Sequence, residues 1–208
     1  MWNYTWRTGV DENGETLHNG MYSHLWSNAP KELHELPDYS YEKHFGQNVG
    51  SYPPRVAIRD YLFGYFKHSK LDESAIRLST TVTNVEWLAD QAQFKVSVKD
   101  NKAGKKYSEL FDFVVVANGH FSTPNVPEFP GIHEFQGSVL HSHDFRSGTA
   151  YKNQRVCLVG GSYSAEDIAS QCYKFGANHC IISHRKKDAK VTGKCHPTRG
   201  QKASLRSL

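Results

Sequence analysis

An α/β fold organised on a strand, glycine turn and helix is predicted by three stretches of the chain. Arg155 to Val159 is a short apolar run that enters Gly160-Gly161, and a helical pattern starts at about Ser164. Asp112 to His120 reads as a continuous apolar strand ending in a small-residue turn, of the kind covered on both faces in a parallel sheet. Between residues 76 and 111, Phe94, Val96 and Val98 alternate with Lys95, Ser97 and Lys99, the pattern of a half-buried antiparallel strand.

In chain order, residues 2–28 are aromatic and turn-rich, with Asp11 to Glu15 as a loop tip. Trp2, Trp6 and Trp26 read as packing residues, and Asn28 as the N-cap of a helix opening at Ala29-Pro30. An irregular stretch leads to Pro53-Pro54, and apolar residues at helical spacing then predict a helix from Pro54 to Ser69. Strands are expected at Ile76 to Trp87, Phe94 to Lys99 and Lys106 to Phe111, the last two joined by a turn over residues 100–105. Residues 121–127 form a proline-stiffened linker, and a domain boundary falls between Pro127 and Gly131. Past the glycine turn, a helix from Ser164 to Phe175 closes at Gly176, and Cys180 to Ser183 is the next strand. Cys157 is expected inside a buried strand.

The chain has 208 residues, of which 38% are hydrophobic, enough for a sizeable core. Its net charge of +4 is local: eight of 25 Lys and Arg, but only one of 21 acids, lie from His184 to Leu208, leaving 17 basic against 20 acidic residues elsewhere. This distribution, with no aromatic residue among the basic ones, speaks against nucleic-acid binding. No apolar run reaches the ~20 residues of a membrane helix, and the N-terminus lacks a signal design, so a cytoplasmic protein is expected. Four cysteines without C-x-x-C spacing read as reduced thiols rather than a metal site or redox pair.

Upstream of the glycine turn, Phe135, Gly137, His141 and Phe145 fill F-x-G-x-x-x-H-x-x-x-F. This fingerprint resembles that of the flavin-containing monooxygenase family. Phe rather than Trp at the last position favours its heteroatom-oxidising branch. Trp2 to Gly9, Met21 to Asn28, Ser51 to Arg55 and Gly161 to Asp167 resemble the bacterial members that oxidise trimethylamine, and the likeness spans about residues 2–185. Val114 to Pro127 resembles the family's segment joining its two nucleotide domains, with Asn118 in place of the usual Thr.

The resemblance implies a two-dinucleotide-binding-domain flavoprotein of Rossmann-like α/β type, using FAD and NADP(H) to oxygenate a small amine or sulfide with O₂. It implies Asn28 and Tyr163 as catalytic residues beside the flavin. Cofactor contacts are implied for Trp2, His18, Leu25, Trp26, Ser27, Val82, Gly119, Gly160, Ser162, Ser164 and Arg185. The glycine turn alone is imperfect, since Ser162 stands where a second glycine is usual. After the second strand, His184-Arg185-Lys186-Lys187 offers positive charge instead of the acid that grips an NAD ribose, so a 2′-phosphate and hence NADPH is favoured. His141 reads as a structural or NADPH-domain histidine, a satisfied buried ring being the preferred reading.

Measured against the family, the chain is expected to be partial. It lacks the N-terminal glycine loop for FAD and the C-terminal half, consistent with a truncated or frameshifted reading frame. Residues 1–128 are expected to form part of the FAD domain with an antiparallel insertion, 129–185 to start the NADPH domain, and 186–208 to be a disordered basic tail. The full-length enzyme is expected to be a homodimer, and the chain alone inactive. The competing reading is an inactive NADP(H)-binding remnant or interaction module.

Overall fold

The computed structural model describes residues 2–185 together with 204–207. Its first half holds two helices, α1 (Tyr41–Phe45) and α2 (Arg55–His68). Ser40 caps α1 by accepting the Lys43 N–H, and Gly46, at φ +67°, ends it. Pro54 precedes α2 with its φ already fixed, so the helix spans nearly the residues that its periodicity predicts.

The two helices meet through stacked rings. Tyr41 and Tyr61 lie 4.0 Å apart and 9° from parallel, both without solvent exposure. The Tyr61 hydroxyl accepts from the Leu36 N–H at 2.8 Å and donates to the Tyr39 carbonyl, which pins the irregular stretch onto α2. Burial pushes the Tyr41 hydroxyl up to about 12.

Beside this cluster the buried Lys31 ammonium sits 2.6 Å from Glu42, 3.4 Å from Glu32 and 3.9 Å from Glu35. Its hydrogen bond to Glu42 holds the Lys31 ammonium above its ordinary value and the Glu42 carboxyl below its own. The Glu42 contribution is therefore present above the ordinary 4.5 and lost as pH falls through the lower folded value. The Lys31 contribution persists below 10.5 and fades as pH rises past it. Acid-side melting temperatures, followed from neutrality down through this range, are expected to fall less steeply in Lys31→Met than in the unaltered chain.

Strands β1 (Thr80–Leu88), β2 (Gln93–Asp100) and β3 (Lys106–Phe111) form an antiparallel sheet in that order. Asp100 turns the chain between β2 and β3 by accepting the N–H groups of Lys102 and Ala103. The sheet begins later than Ile76. Asp72 caps a short 3-10 turn at Glu73–Ala75, and Ser79 at φ +54° reorients the chain before Thr80.

The second sheet is parallel, β4 (Arg155–Val159), β5 (His179–His184) and β6 (Ser204–Ser207), with α3 (Tyr163–Lys174) between β4 and β5. Ala165, Ile168, Ala169 and Cys172 follow helical spacing on α3 and pack with Phe145, Ala177, Cys180 and Ile182. Burial raises the Cys172 thiol to about 12, so it is a packing group rather than a nucleophile.

Three expectations differ from this architecture. Residues 112–119 form no strand, and Phe113, Val115 and Val116 are at least 80% exposed. A parallel strand is buried only where neighbours flank it, and no described strand pairs with this segment. β4 is covered on one face only: Val156 and Leu158 face the α3 core, whereas Cys157 and Val159 are exposed. Within the expected basic tail, Ser204–Ser207 pair with Ile181 to His184 as β6, because an open parallel edge binds backbone whatever its side chains. Residues 186–203 of that tail lie outside the described residues.

Candidate dinucleotide-binding site

At the end of β4 the chain must leave the sheet and start α3 within three residues. Gly160 does this at φ +140°, donating its N–H to the Ser183 carbonyl of β5 at 2.8 Å. Gly161 passes so near β5 that an added Cβ would lie 2.8 Å from the Cβ of His184. Ser162 is extended and its carbonyl accepts the Ala165 and Glu166 N–H groups, which starts the helix. Its hydroxyl caps nothing, so the N–H groups of Tyr163 and Ser164 have no partner among the described residues. Free, aligned donors at the positive end of a 12-residue helix favour an anion.

Around this turn, Ser162, Tyr163 and Ser164 are exposed, Tyr163 at 73%. Arg185 is exposed directly after β5. The buried His184 Nδ1 has no hydrogen-bond partner in the described structure. Gly160→Ala is expected to cost about 1–3 kcal/mol of stability through backbone strain alone. Nothing lies within 4 Å of the added Cβ, so denaturant unfolding measures that strain without a clash.

A second group gathers where residues 2–27 meet the start of α2. The Arg55 N–H donates to the Leu25 carbonyl at 2.9 Å, and its guanidinium donates to the Trp2 carbonyl at 3.1 Å while lying over the Tyr4 ring. The Ser27 N–H donates to the Pro53 carbonyl at 3.0 Å, and Trp26 bridges Pro54. Trp2, Leu25, Trp26 and Ser27 are thus brought together at one end of α2. Ser27 is buried, whereas Trp26 and Asn28 are exposed.

Asn28 is not a helix N-cap. The Ser27 hydroxyl accepts the Ala29 N–H instead, and the following 3-10 turn starts at Lys31 after Pro30. His18 is exposed beyond the Val10–Thr16 bridge, Val82 is exposed on β1, and Gly119 adopts φ +75° in the uncovered segment. The hydrogen bonds and ring contacts of the described residues do not join these three to the Arg55 group. The Nδ1 of His141 accepts the His143 N–H at 3.1 Å.

Arg55 was not visible as a site-building residue in the sequence, although one signal pointed to it. A cation at the first position of a helix opposes the helix dipole, so it needs another reason to stand there. Tyr22, Arg146 and Gln171, which join distant segments through backbone carbonyls or a carboxylate, carried no local signal.

A glycine turn on a parallel sheet, opening a helix whose first amides are free, defines a dinucleotide-binding α/β protein. The chain belongs to the flavin-binding monooxygenase-like family, whose pattern matches residues 4–196. It is 54% identical over 187 residues to trimethylamine monooxygenase of Methylocella silvestris, covering 90% of this chain and 41% of that protein. It is 50% identical to the trimethylamine monooxygenase of a Roseovarius species, over 89% of this chain and 41% of that protein. The crystal structure of Tmm from a Pelagibacter species superposes with a TM-score of 0.86 at 40% identity, over 99% of this chain and 44% of that one. The chain therefore spans about two fifths of the length of the relatives it matches. Among the described residues, no helix is long and apolar enough to cross a membrane, and no group of His, Cys, Asp or Glu is arranged to hold a metal ion.

Proposed function

We propose that this chain is part of an NADPH- and FAD-dependent monooxygenase that transfers oxygen from O₂ to the nitrogen or sulfur of a small amine or sulfide, trimethylamine being the leading substrate. The observation that carries this reading is the 54% identity to a trimethylamine monooxygenase across nine tenths of the chain. The open helix start at Tyr163 and Ser164 supports it, because it suits the pyrophosphate of NADP(H). When bound, the flavin would supply the oxygen chemistry; the protein's part is to bind, orient and keep water away.

In this reading the amides of Ser162 to Ser164 hold the NADP(H) pyrophosphate and Arg185 its 2′-phosphate. Trp2, His18, Leu25, Trp26, Ser27, Val82 and Gly119 would line FAD. Asn28 would offer an uncharged amide donor to the flavin or nicotinamide, and Tyr163 would stand over the approach of substrate and oxygen. The exposure of both side chains leaves them available for these contacts. The full-length protein would act as a homodimer.

A second reading is favoured by the uncovered segment around Phe113, Val115 and Val116: the chain by itself binds NADP(H) but does not turn over. Purified chain supplied with FAD, NADPH and trimethylamine separates the two. Flavin absorbance with amine-dependent NADPH oxidation supports the enzyme reading for the chain as it stands. NADP⁺ binding by a colourless protein without turnover supports the second, and absence of both nucleotides removes each.

A further inference from the structure

Leu25 and Ser27 are held on one side by the start of α2, and the residues just before them, Tyr22 to His24, are held on another. On the other side, the Tyr22 hydroxyl donates to the Asp167 carboxylate of α3, 145 positions away in sequence. Gln171, one turn further along α3 and itself buried, donates from Nε2 to the His24 carbonyl at 3.1 Å. The Ser23 N–H donates to the Arg146 carbonyl at 2.9 Å, while the Arg146 guanidinium donates to the Arg7 carbonyl at 2.9 Å and the His143 carbonyl at 2.7 Å. Rings close the contact: Tyr22 meets Phe145 edge-on at 5.2 Å, and His24 lies 4.5 Å from Phe175. Tyr22 to His24 are thereby fastened to the helix that begins at the glycine turn.

Asp167 stands four residues after Tyr163, on the turn of α3 adjoining its open amides. The hydroxyl of Tyr22 is held well above its ordinary value, first by burial and then by the carboxylate, so it keeps its proton and remains the donor. A polar bond of this kind has a fixed direction and length, unlike apolar packing, so it fixes the position of one segment against the other.

We propose that Tyr22 and Asp167, with Gln171 and the His24 carbonyl, are positioning residues that couple the start of α3 to residues Leu25 to Asn28, so that a dinucleotide bound at the turn orders the segment expected to face the flavin. This rests on the NADP(H) reading of the turn. None of the four is placed in contact with either nucleotide; they act through the segments they join.

The test is amide hydrogen exchange on the purified chain, with NADP⁺ as the added probe. Without ligand, Tyr22→Phe keeps the ring against Phe145 but removes the hydroxyl. Exchange at Ser23, Leu25 and Ser27 is expected to speed up by about tenfold, the effect of losing one buried hydrogen bond, while β1 to β3 stay unchanged. Asp167→Leu is expected to match it, and Asp167→Asn, which keeps an acceptor oxygen, to stay near the unaltered chain. Unchanged exchange in Tyr22→Phe overturns the clamp. Saturating NADP⁺ is then expected to slow exchange at residues 22–28 in the unaltered chain and in Asp167→Asn, but not in Tyr22→Phe or Asp167→Leu, although all four bind it. Binding without that slowing in the unaltered chain overturns the coupling and leaves only a packing contact. Failure to bind NADP⁺ at all overturns both the nucleotide reading of the turn and the coupling that rests on it, and the ligand-free comparison still decides whether the clamp exists. Should Tyr22→Phe unfold, Gln171→Met removes the second bond while keeping the side-chain volume, and the same two comparisons apply.

Discussion

Phe145→Ala is expected to destabilise the chain by about 3–5 kcal/mol, the range for truncating a fully buried aromatic side chain. Phe145 is 3% exposed and lies in the cluster with Ile168, Ala169, Cys172, Ala177, Cys180 and Ile182. Its ring also stands 5.2 Å from Tyr22 and 5.8 Å from Tyr151, so truncation removes contacts with the N-terminal segment, α3 and the turn before β4 together. The neighbours are ill placed to collapse into the space. Gly148 is packed so closely that a Cβ there would lie 2.5 Å from the Gln171 carbonyl oxygen, which leaves little freedom for α3 to shift. Against a typical stability of 5–15 kcal/mol, such a loss is a large fraction of the whole. Urea unfolding would show it as a lower midpoint at an unchanged slope, and a loss below about 1 kcal/mol would mean that this ring is not part of the core. Phe145→Leu, which refills part of the volume, is expected to lose less.

The same residue shows what local sequence could and could not disclose. Phe145 stood out only through its place in the family fingerprint, and its physical role follows from where the fold delivers it, under α3. The second helix, the antiparallel strands and the strand, turn and helix around Gly160 were legible because each is specified within its own residues: Pro54 fixes the start of α2, alternation marks β2, and Gly160 and Gly161 meet demands of φ and close approach. Burial of Phe113 to Val116 was not legible, because an apolar run says only that a strand would be buried if flanked. Their exposure here reflects the absence of a paired strand among the described residues, and it is the same limit that makes Cys157 exposed on a one-sided sheet. The cap at Ser27 rather than Asn28 turned on which of two adjacent polar side chains faced the Ala29 N–H, a choice made by the Ser27 N–H bonding to Pro53. The bonds that assemble the candidate site, Arg55 to Trp2 and Tyr22 to Asp167, join residues 53 and 145 positions apart, where pattern has no reach.

The other large effect concerns cofactor choice. Arg185→Ala is expected to weaken NADP⁺ binding roughly 10- to 150-fold while leaving NAD⁺ binding nearly unchanged, the equivalent of about 1.5–3 kcal/mol for a charge-assisted hydrogen bond. The argument starts from position: Arg185 follows β5 directly, on the strand whose Ser183 carbonyl receives the Gly160 N–H, so it lies on the strand end nearest the turn. The residues directly after β5 are Arg185, Lys186 and Lys187, with no carboxylate at the position that would accept a ribose hydroxyl. Arg185→Lys keeps the charge but loses the planar fork that grips a phosphate through two bonds, so it is expected to fall between the two. Because Arg185 is exposed, added salt should narrow the gap between NADP⁺ and NAD⁺ in the unaltered chain and have less effect on Arg185→Ala. Titrations of both nucleotides, followed by tryptophan fluorescence at low and high salt, measure this directly. Equal affinity for NADP⁺ and NAD⁺ in the unaltered chain would mean that the positive charge after β5 is not reading a 2′-phosphate, and would move the NADPH assignment from this strand end to some other part of the fold.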